Sequence, residues 1–309
     1  MTAASLALAV LALLLAWPVP LALGAARWPS RSPATALILW QAIALSGGLS
    51  MLGALVTFGL APYGHDLVSA FVAFASGAEV AGTWHVAALG AAILLGVHLV
   101  LNLVVTVVRS EGQRRRHAHL IELLSEPMAD DPSARIIDTP APVAYCLPGA
   151  LSSVTVFSAG LVDLLEPAEL DAVIEHERAH VAQRHDIVLV VFRAWHTSLP
   201  WFPIAYRAQR EVGILIEMLA DDRARRHVDD GVLARAIALV GSGSAPDAAL
   251  AIQPLESSSP HDVRARVLRI ARSAALPTTA EALVVGASAA LIAVPTVLLF
   301  TPWLVGALG

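Results

Sequence analysis

Residues 174–186 read I-E-H-E-R-A-H-V-A-Q-R-H-D, and within them His176, Glu177 and His180 form an H-E-x-x-H motif. On an α-helix, residues four apart share a face, so both imidazoles can reach one tetrahedral ion. Glu177 follows the first histidine by one position. That sets its carboxylate where it can take a proton from an attacking water. The plainer reading of the same letters is a surface helix rich in His, Glu and Arg, and the rest of the chain has to decide between the two.

The chain has 309 residues, a mean hydropathy of +0.68, 57% hydrophobic and only 15% charged residues. That is too apolar for a purely soluble globule and points to several membrane spans. All 20 basic residues are Arg, which we read as compositional bias rather than function. A net charge of −5 argues against non-specific nucleic-acid binding. The single cysteine, Cys146, rules out an intrachain disulfide and a thiolate cluster, and reads as a small buried hydrophobe.

Outward from the motif, four apolar runs satisfy the length of a span: 3–23, 35–59, 85–108 and a last one near 282–305. A cleaved signal peptide competes for the first run, but its arginines, Arg27 and Arg31, follow the run instead of preceding it. The second run holds a small-residue patch at Ser46–Ser50 suited to close helix contact. Inside the third, His98 and Asn102 read as an interhelical hydrogen-bonding pair rather than ligands. Arg109 and Arg114–Arg116 follow the third run, and Arg264, Arg266, Arg269 and Arg272 precede the fourth, while the 61–84 loop carries no Arg. Positive-inside bias then places the N-terminus outside and the whole 109–281 segment in the cytoplasm of a multi-pass plasma-membrane protein. The expected division is 1–108 membrane, 109–281 cytoplasmic domain and 282–309 final span.

Within 109–281 a basic helical stretch (Gln113–Leu124) and a Pro/Asp-rich turn (Glu126–Pro132) precede three strand-like pieces: Ala134–Ile137, Val143–Leu147 and Ser152–Phe157. The last alternates as a half-buried strand does. Its residues Ser152, Val154 and Val156 are the candidate edge on which an extended substrate would pair. Pro167 marks the first turn of the motif helix, with Glu169 and Asp171 at its positive end. Ile187–Leu199 reads as a buried core helix, Ile204–His227 as a long helix, and His261–Ser273 as an Arg-rich amphipathic one.

Two histidines hold zinc poorly, so a third ligand is needed. Asp186 lies six residues after His180, but Gln183 stands where a turning Gly would be required, leaving the helix no reason to bend. Glu211 and Glu217 are the only glutamates between the motif and the Gly241 loop. Glu217 is favoured because Asp221, one turn on, can accept the second ring N–H of a ligand histidine. Glu211 reads as a solvated helix charge beside Arg207 and Arg210.

I-E-M-L-A-D-D (216–222), W-H-T-S-L-P-W-F around His196 and Y-C-L-P-G (145–149) complete a resemblance to the membrane metallopeptidases of the β-lactam-sensor (BlaR/MecR) type. It covers roughly residues 85–275. The resemblance implies a mostly α, polytopic membrane protein with a cytoplasmic gluzincin-like α+β zinc-protease domain. It implies one zinc on His176, His180 and the Glu of an E-x-x-C-D signature, here Glu217 with Asp221, although Ala220 replaces the Cys. It also implies regulated proteolysis of a cytosolic protein, typically a winged-helix repressor. The chain ends at Gly309, directly after the last span. An extracellular penicillin-binding sensor and direct β-lactam sensing are therefore not expected.

The expected reaction is peptide-bond hydrolysis with Glu177 as general base and His196, or an Arg nearby, as oxyanion donor; a satisfied core histidine is the competing reading of His196. His185 is expected on the opposite face, as a helix charge. Expected partners are a protein substrate, the bilayer and no nucleic acid, with a homo-oligomer left open. Three rivals remain: a receptor with a structural zinc, a quality-control or CAAX-type zinc protease, and an intramembrane protease. Glu177, the brevity of the apolar segment after the motif, and the charges Glu175, Arg178 and Arg184 weigh against them in turn.

Overall fold

The computed structural model describes residues 1–77, 79, 82–127, 134–147, 154–200, 203–243, 259–272 and 275–308. The first helices are α1 (Thr2–Ala16), α2 (Pro18–Ala25), α3 (Pro33–Leu60), α4 (Leu67–Ala75) and α5 (Thr83–Leu124). Four strands follow, β1 (Ser125–Pro127), β2 (Ala134–Ile137), β3 (Ala144–Leu147) and β4 (Val154–Ser158). The remainder is helical: α6 (Ala159–Leu164), α7 (Pro167–Ala182), α8 (His185–Ser198), α9 (Pro203–Ala224), α10 (Asp230–Gly243), α11 (Pro260–Arg272) and α12 (Thr278–Leu308). Two compact units result. One comprises Met1–Val104, Ala194–Gln209 and Leu276–Gly309, the other Val105–Arg193 and Arg210–Ala275.

Among the described residues, four helical stretches are long and apolar enough to cross a membrane: Thr2–Ala25, Pro33–Tyr63, Thr83–Leu124 and Thr278–Phe300. The expected runs thus appear as helices, and the protein is a membrane protein. The first is broken at Trp17, where Pro18 and Pro20 remove backbone donors. α3 is the central span, packed on α1, α4 and α12. Its buried face is lined by Ser46, Gly48, Ser50, Gly53, Thr57 and Gly59, the small residues that let helix backbones approach without water. Ser46 Oγ donates to Leu291 O on α12 (2.6 Å) and Ser5 Oγ on α1 donates to Ala54 O (3.1 Å).

In the second unit the sheet order is β1-β2-β4-β3, with β2 and β4 parallel and the outer pairs antiparallel. This corrects the expectation of an edge strand at Ser152–Phe157. Ser152 lies outside the described residues, and Val154 and Val156 stand on β4, which is paired on both sides. Its backbone groups are already used, so it cannot receive another chain. β1 lies where a turn was expected at Glu126–Pro132, of which 128–132 lie outside the described residues. The Cys146 side chain and the Pro148-Gly149 end of Y-C-L-P-G also lie outside them.

α7 is held between two apolar clusters. Phe157, Leu161 and Leu165 form one, with Leu170, Val173 and Ile174 packed on it; Ala172, Ala224, Leu233, Ala236, Ile237 and Ile270 form the other, with Val173 again at its edge. Its N-terminus carries a capping box between Glu166 and Glu169 with Pro167 at the first position, which supplies partners for otherwise orphaned N–H groups. From Val212 to Asp221, α9 buries Val212, Leu215, Ile216, Met218, Ala220 and Asp221. Gly160 is required where it stands, since a Cβ there would lie 2.0 Å from the Pro140 carbonyl oxygen.

Candidate metal centre

The helical spacing within α7 turns His176 and His180 to one side, where their Nε2 atoms lie 3.1 Å apart. α9 runs past that side and presents Glu217. One of its carboxylate oxygens is 3.3 Å from His176 Nε2, the other 3.5 Å from His180 Nε2. The three residues form a group whose donor atoms all lie within 4.8 Å of one another. Ligands around a tetrahedral zinc with bonds near 2.1 Å sit about 3.4 Å apart. The cluster therefore has the dimensions of three corners of such a shell, and its two-imidazole, one-carboxylate composition is that of a catalytic rather than a structural zinc. Both Glu217 and His180 are about one-fifth exposed, leaving a side open to solvent for a fourth position.

Around this cluster every ring has a second partner. His176 Nδ1 lies 3.0 Å from Asp221 Oδ1, in a contact bent off the N–H axis. Asp221 is fully buried and gripped by both arms of Arg266, which donates from Nε to Oδ2 (2.8 Å) and from Nη2 to Oδ1 (2.6 Å). Arg266 Nη1 also reaches Glu217 Oε2 at 3.0 Å, so one guanidinium of α11 bridges the ligand carboxylate and the carboxylate behind the ligand imidazole. Burial by itself would raise the Asp221 carboxyl, but Arg266 outweighs it and holds the pKa down at about 2. Glu217 is likewise held below the usual carboxylate range, with Arg266 and His176 overriding burial. Burial pulls the His176 ring down, yet its contacts with Asp221 and Glu217 prevail and raise it to about 9.

His180 differs, because burial dominates and lowers it to about 3. Its Nδ1 faces His185 Nδ1 at 3.0 Å. This corrects the placement of His185 as an outward helix charge: it is buried, and burial lowers it to about 4. The reason is a turn that sequence reasoning discounted. α7 ends at Ala182, and Arg184 takes a left-handed conformation (φ 50°) without a glycine. α8 then starts at His185 in a new direction, so the residue five beyond His180 returns to it. With His180 binding through Nε2, its Nδ1–H donates to His185 Nδ1, which makes His185 a neutral ring carrying its proton on Nε2.

His176, His180, Glu217 and Asp221 are thus brought together. Glu177 is partly exposed beside His176 on α7 and lies within electrostatic reach of Arg266. His196 belongs to the first unit, where its ring packs on Tyr206 at 5.6 Å between centroids. Sequence reading also missed Arg266, counting it only as a charge near a span. The signal was the pairing of Asp221-Asp222 with Arg266 and Arg269 at helical spacing; Arg269 Nη2 donates to Asp222 Oδ2 at 2.5 Å.

A membrane protein with an imidazole–imidazole–carboxylate cluster on two buried helices is built as a metallopeptidase is. The chain belongs to the BlaR1 peptidase M56 family, whose profile matches residues 61–235, more than half its length. No curated protein and no solved structure matches the chain.

Proposed function

We propose that the protein is a zinc-dependent membrane endopeptidase that cleaves a cytosolic protein, with His176, His180 and Glu217 as the ligands and Glu177 as the general base. The observation that carries this is the convergence of the two Nε2 atoms and the Glu217 carboxylate at 3.1–3.5 Å. When bound, zinc supplies Lewis-acid polarisation of the scissile carbonyl and activation of water. Glu177 takes the proton of the attacking water and delivers it to the leaving amine. Asp221 and His185 orient the two rings from behind, and Arg266 balances the negative charge that Glu217 and Asp221 place in a buried site.

The substrate backbone adds to β3. This strand packs on α7 and pairs with β4 along one edge, and among the described residues no strand occupies its other edge. The distribution of arginines supports an N-terminus outside and a cytoplasmic site. The family's link to regulated proteolysis supports a winged-helix repressor as target.

The test compares membrane proteomes of cells carrying wild type and Glu177→Ala. A general base contributes about 10²–10⁴-fold, so the variant is expected to retain zinc and accumulate uncleaved substrate. Equal processing by both would remove Glu177 from the mechanism, and loss of zinc together with cleavage would favour a structural role.

A further inference from the structure

Trp195–Ile204, W-H-T-S-L-P-W-F-P-I, contains neither Arg nor an acid, and the contacts of its α8 half are with membrane spans. Asn102 Nδ2 on α5 lies 2.7 Å from Ala194 O, 2.7 Å from Ser198 Oγ and 2.9 Å from Thr197 Oγ1. His98 Nε2, one turn away, is 3.2 Å from Ser198 O. Trp195 lies against α3, its ring 3.1 Å from where a Gly48 Cβ would stand. On the returning side the Tyr206 ring of α9 meets His196 of α8, so the two helices run beside each other here.

The depth of these contacts follows from the helices that make them. Gly48 is fifteen residues from either end of the Pro33–Tyr63 stretch, about 22 Å at the helical rise. His98 and Asn102 lie about 16 and 10 Å before Arg109 on the same rise, against a hydrocarbon half-thickness of about 15 Å. Two independent spans therefore set Trp195 and Ser198 near mid-bilayer depth. The chemistry suits that depth. A helix ending in water leaves its last carbonyls to solvent, whereas one ending in hydrocarbon needs protein donors. Ser198 is the last residue of α8, and His98 provides its donor. Pro200 and Pro203 remove two backbone N–H groups from the connection that follows. The nearest flanking charges, Arg193 and Arg207, have stems long enough to reach headgroup level.

We infer that the C-terminal end of α8, from Ala194, and the N-terminal end of α9, to Gln209, lie in the bilayer with lipid hydrocarbon as their partner. The segment is therefore not part of the aqueous domain in which its neighbours in sequence fold. The two helices that enter the bilayer are those that begin at His185 and carry Glu217.

The experiment uses full-length protein in open membrane fragments, both faces accessible, in a Cys146→Ser background. Thr197→Cys and, on the other limb, Tyr206→Cys are treated with a membrane-impermeant maleimide. Val100→Cys, exposed on the α5 span, serves as the lipid reference, and Glu126→Cys as the aqueous one. Thr197 and Tyr206 are exposed on the protein surface, so only the bilayer can shield them. The expected result is loss of labelling at both positions, as at Val100, restored when the membrane is dissolved in denaturing detergent. Labelling at either position at the rate of Glu126 in intact membrane overturns the inference.

Discussion

Arg266 ties together the two carboxylates of the metal centre, since its guanidinium holds Asp221 through two bonds and touches Glu217 through a third nitrogen. Breaking a buried pair by removing one partner costs about 3–5 kcal/mol, because the other charge is left uncompensated. Arg266→Met is expected to lose stability in that range by denaturant unfolding in detergent. Adding Asp221→Asn should recover part of the loss; a single variant as stable as wild type would contradict the ion-pair account. The same charges set a pH dependence for the chelator-treated protein. Asp221 sits at about 2 when folded, below its unfolded value of about 3.9. Its contribution is therefore full above about pH 4 and lost as pH falls towards 2. The lowered His180, at about 3, gives stability that is present above about 6.5 and lost as pH falls. The raised His176, at about 9, does the reverse: its contribution is present below about 6.5 and lost as pH climbs through 9. The melting temperature should thus decline on both sides of neutrality, and a curve flat to pH 10 would count against the assigned state of His176. At this scale the grouping of His176, His180 and Glu217, with Asp221 behind His176, was readable from spacing and carboxylate inventory. His185 was not, because its position depends on Arg184 adopting a left-handed conformation that no glycine announced.

Among the elements, the motif helix was legible down to its Pro167 start, because capping and apolar spacing are local properties. Strand order is not local. The alternation in Ser152–Phe157 identified a strand correctly, but edge or centre depends on which strands pair with it, and β4 pairs with two. Among the described residues the outer strands are β1 and β3, and β3 is the one that packs on α7. If substrate adds there as a strand, its backbone N–H groups point alternately towards and away from β3. N-methylation along a substrate peptide should therefore lower kcat/KM at every second position; a uniform effect would argue against strand addition. α5 was legible in both of its parts. The apolar run ends near Arg109, and the basic helical stretch expected at Gln113–Leu124 continues the same helix to Leu124. Glu111 pairs with Arg114 and Arg115 at helical spacing (2.8 and 2.6 Å), and such pairs support a helix after the hydrophobic pattern has stopped.

For the whole molecule, the four apolar stretches were legible because length and hydropathy alone define a span. The grouping of Ala194–Gln209 with the first unit was not, because it rests on the meeting of Gly48, His98 and Asn102 with α8, contacts between residues about a hundred or more positions apart. Two units result from this interleaving, and the complete His–His–Glu cluster falls within one of them, carried by α7 and α9. The account stands or falls on that cluster binding metal. Elemental analysis of the purified full-length chain, wild type beside Glu177→Ala and Glu217→Ala, tests it most directly. One zinc per chain is predicted in the first two, with loss in the third. A metal-free wild type, or a Glu217→Ala chain that keeps its zinc as firmly as wild type, would contradict it.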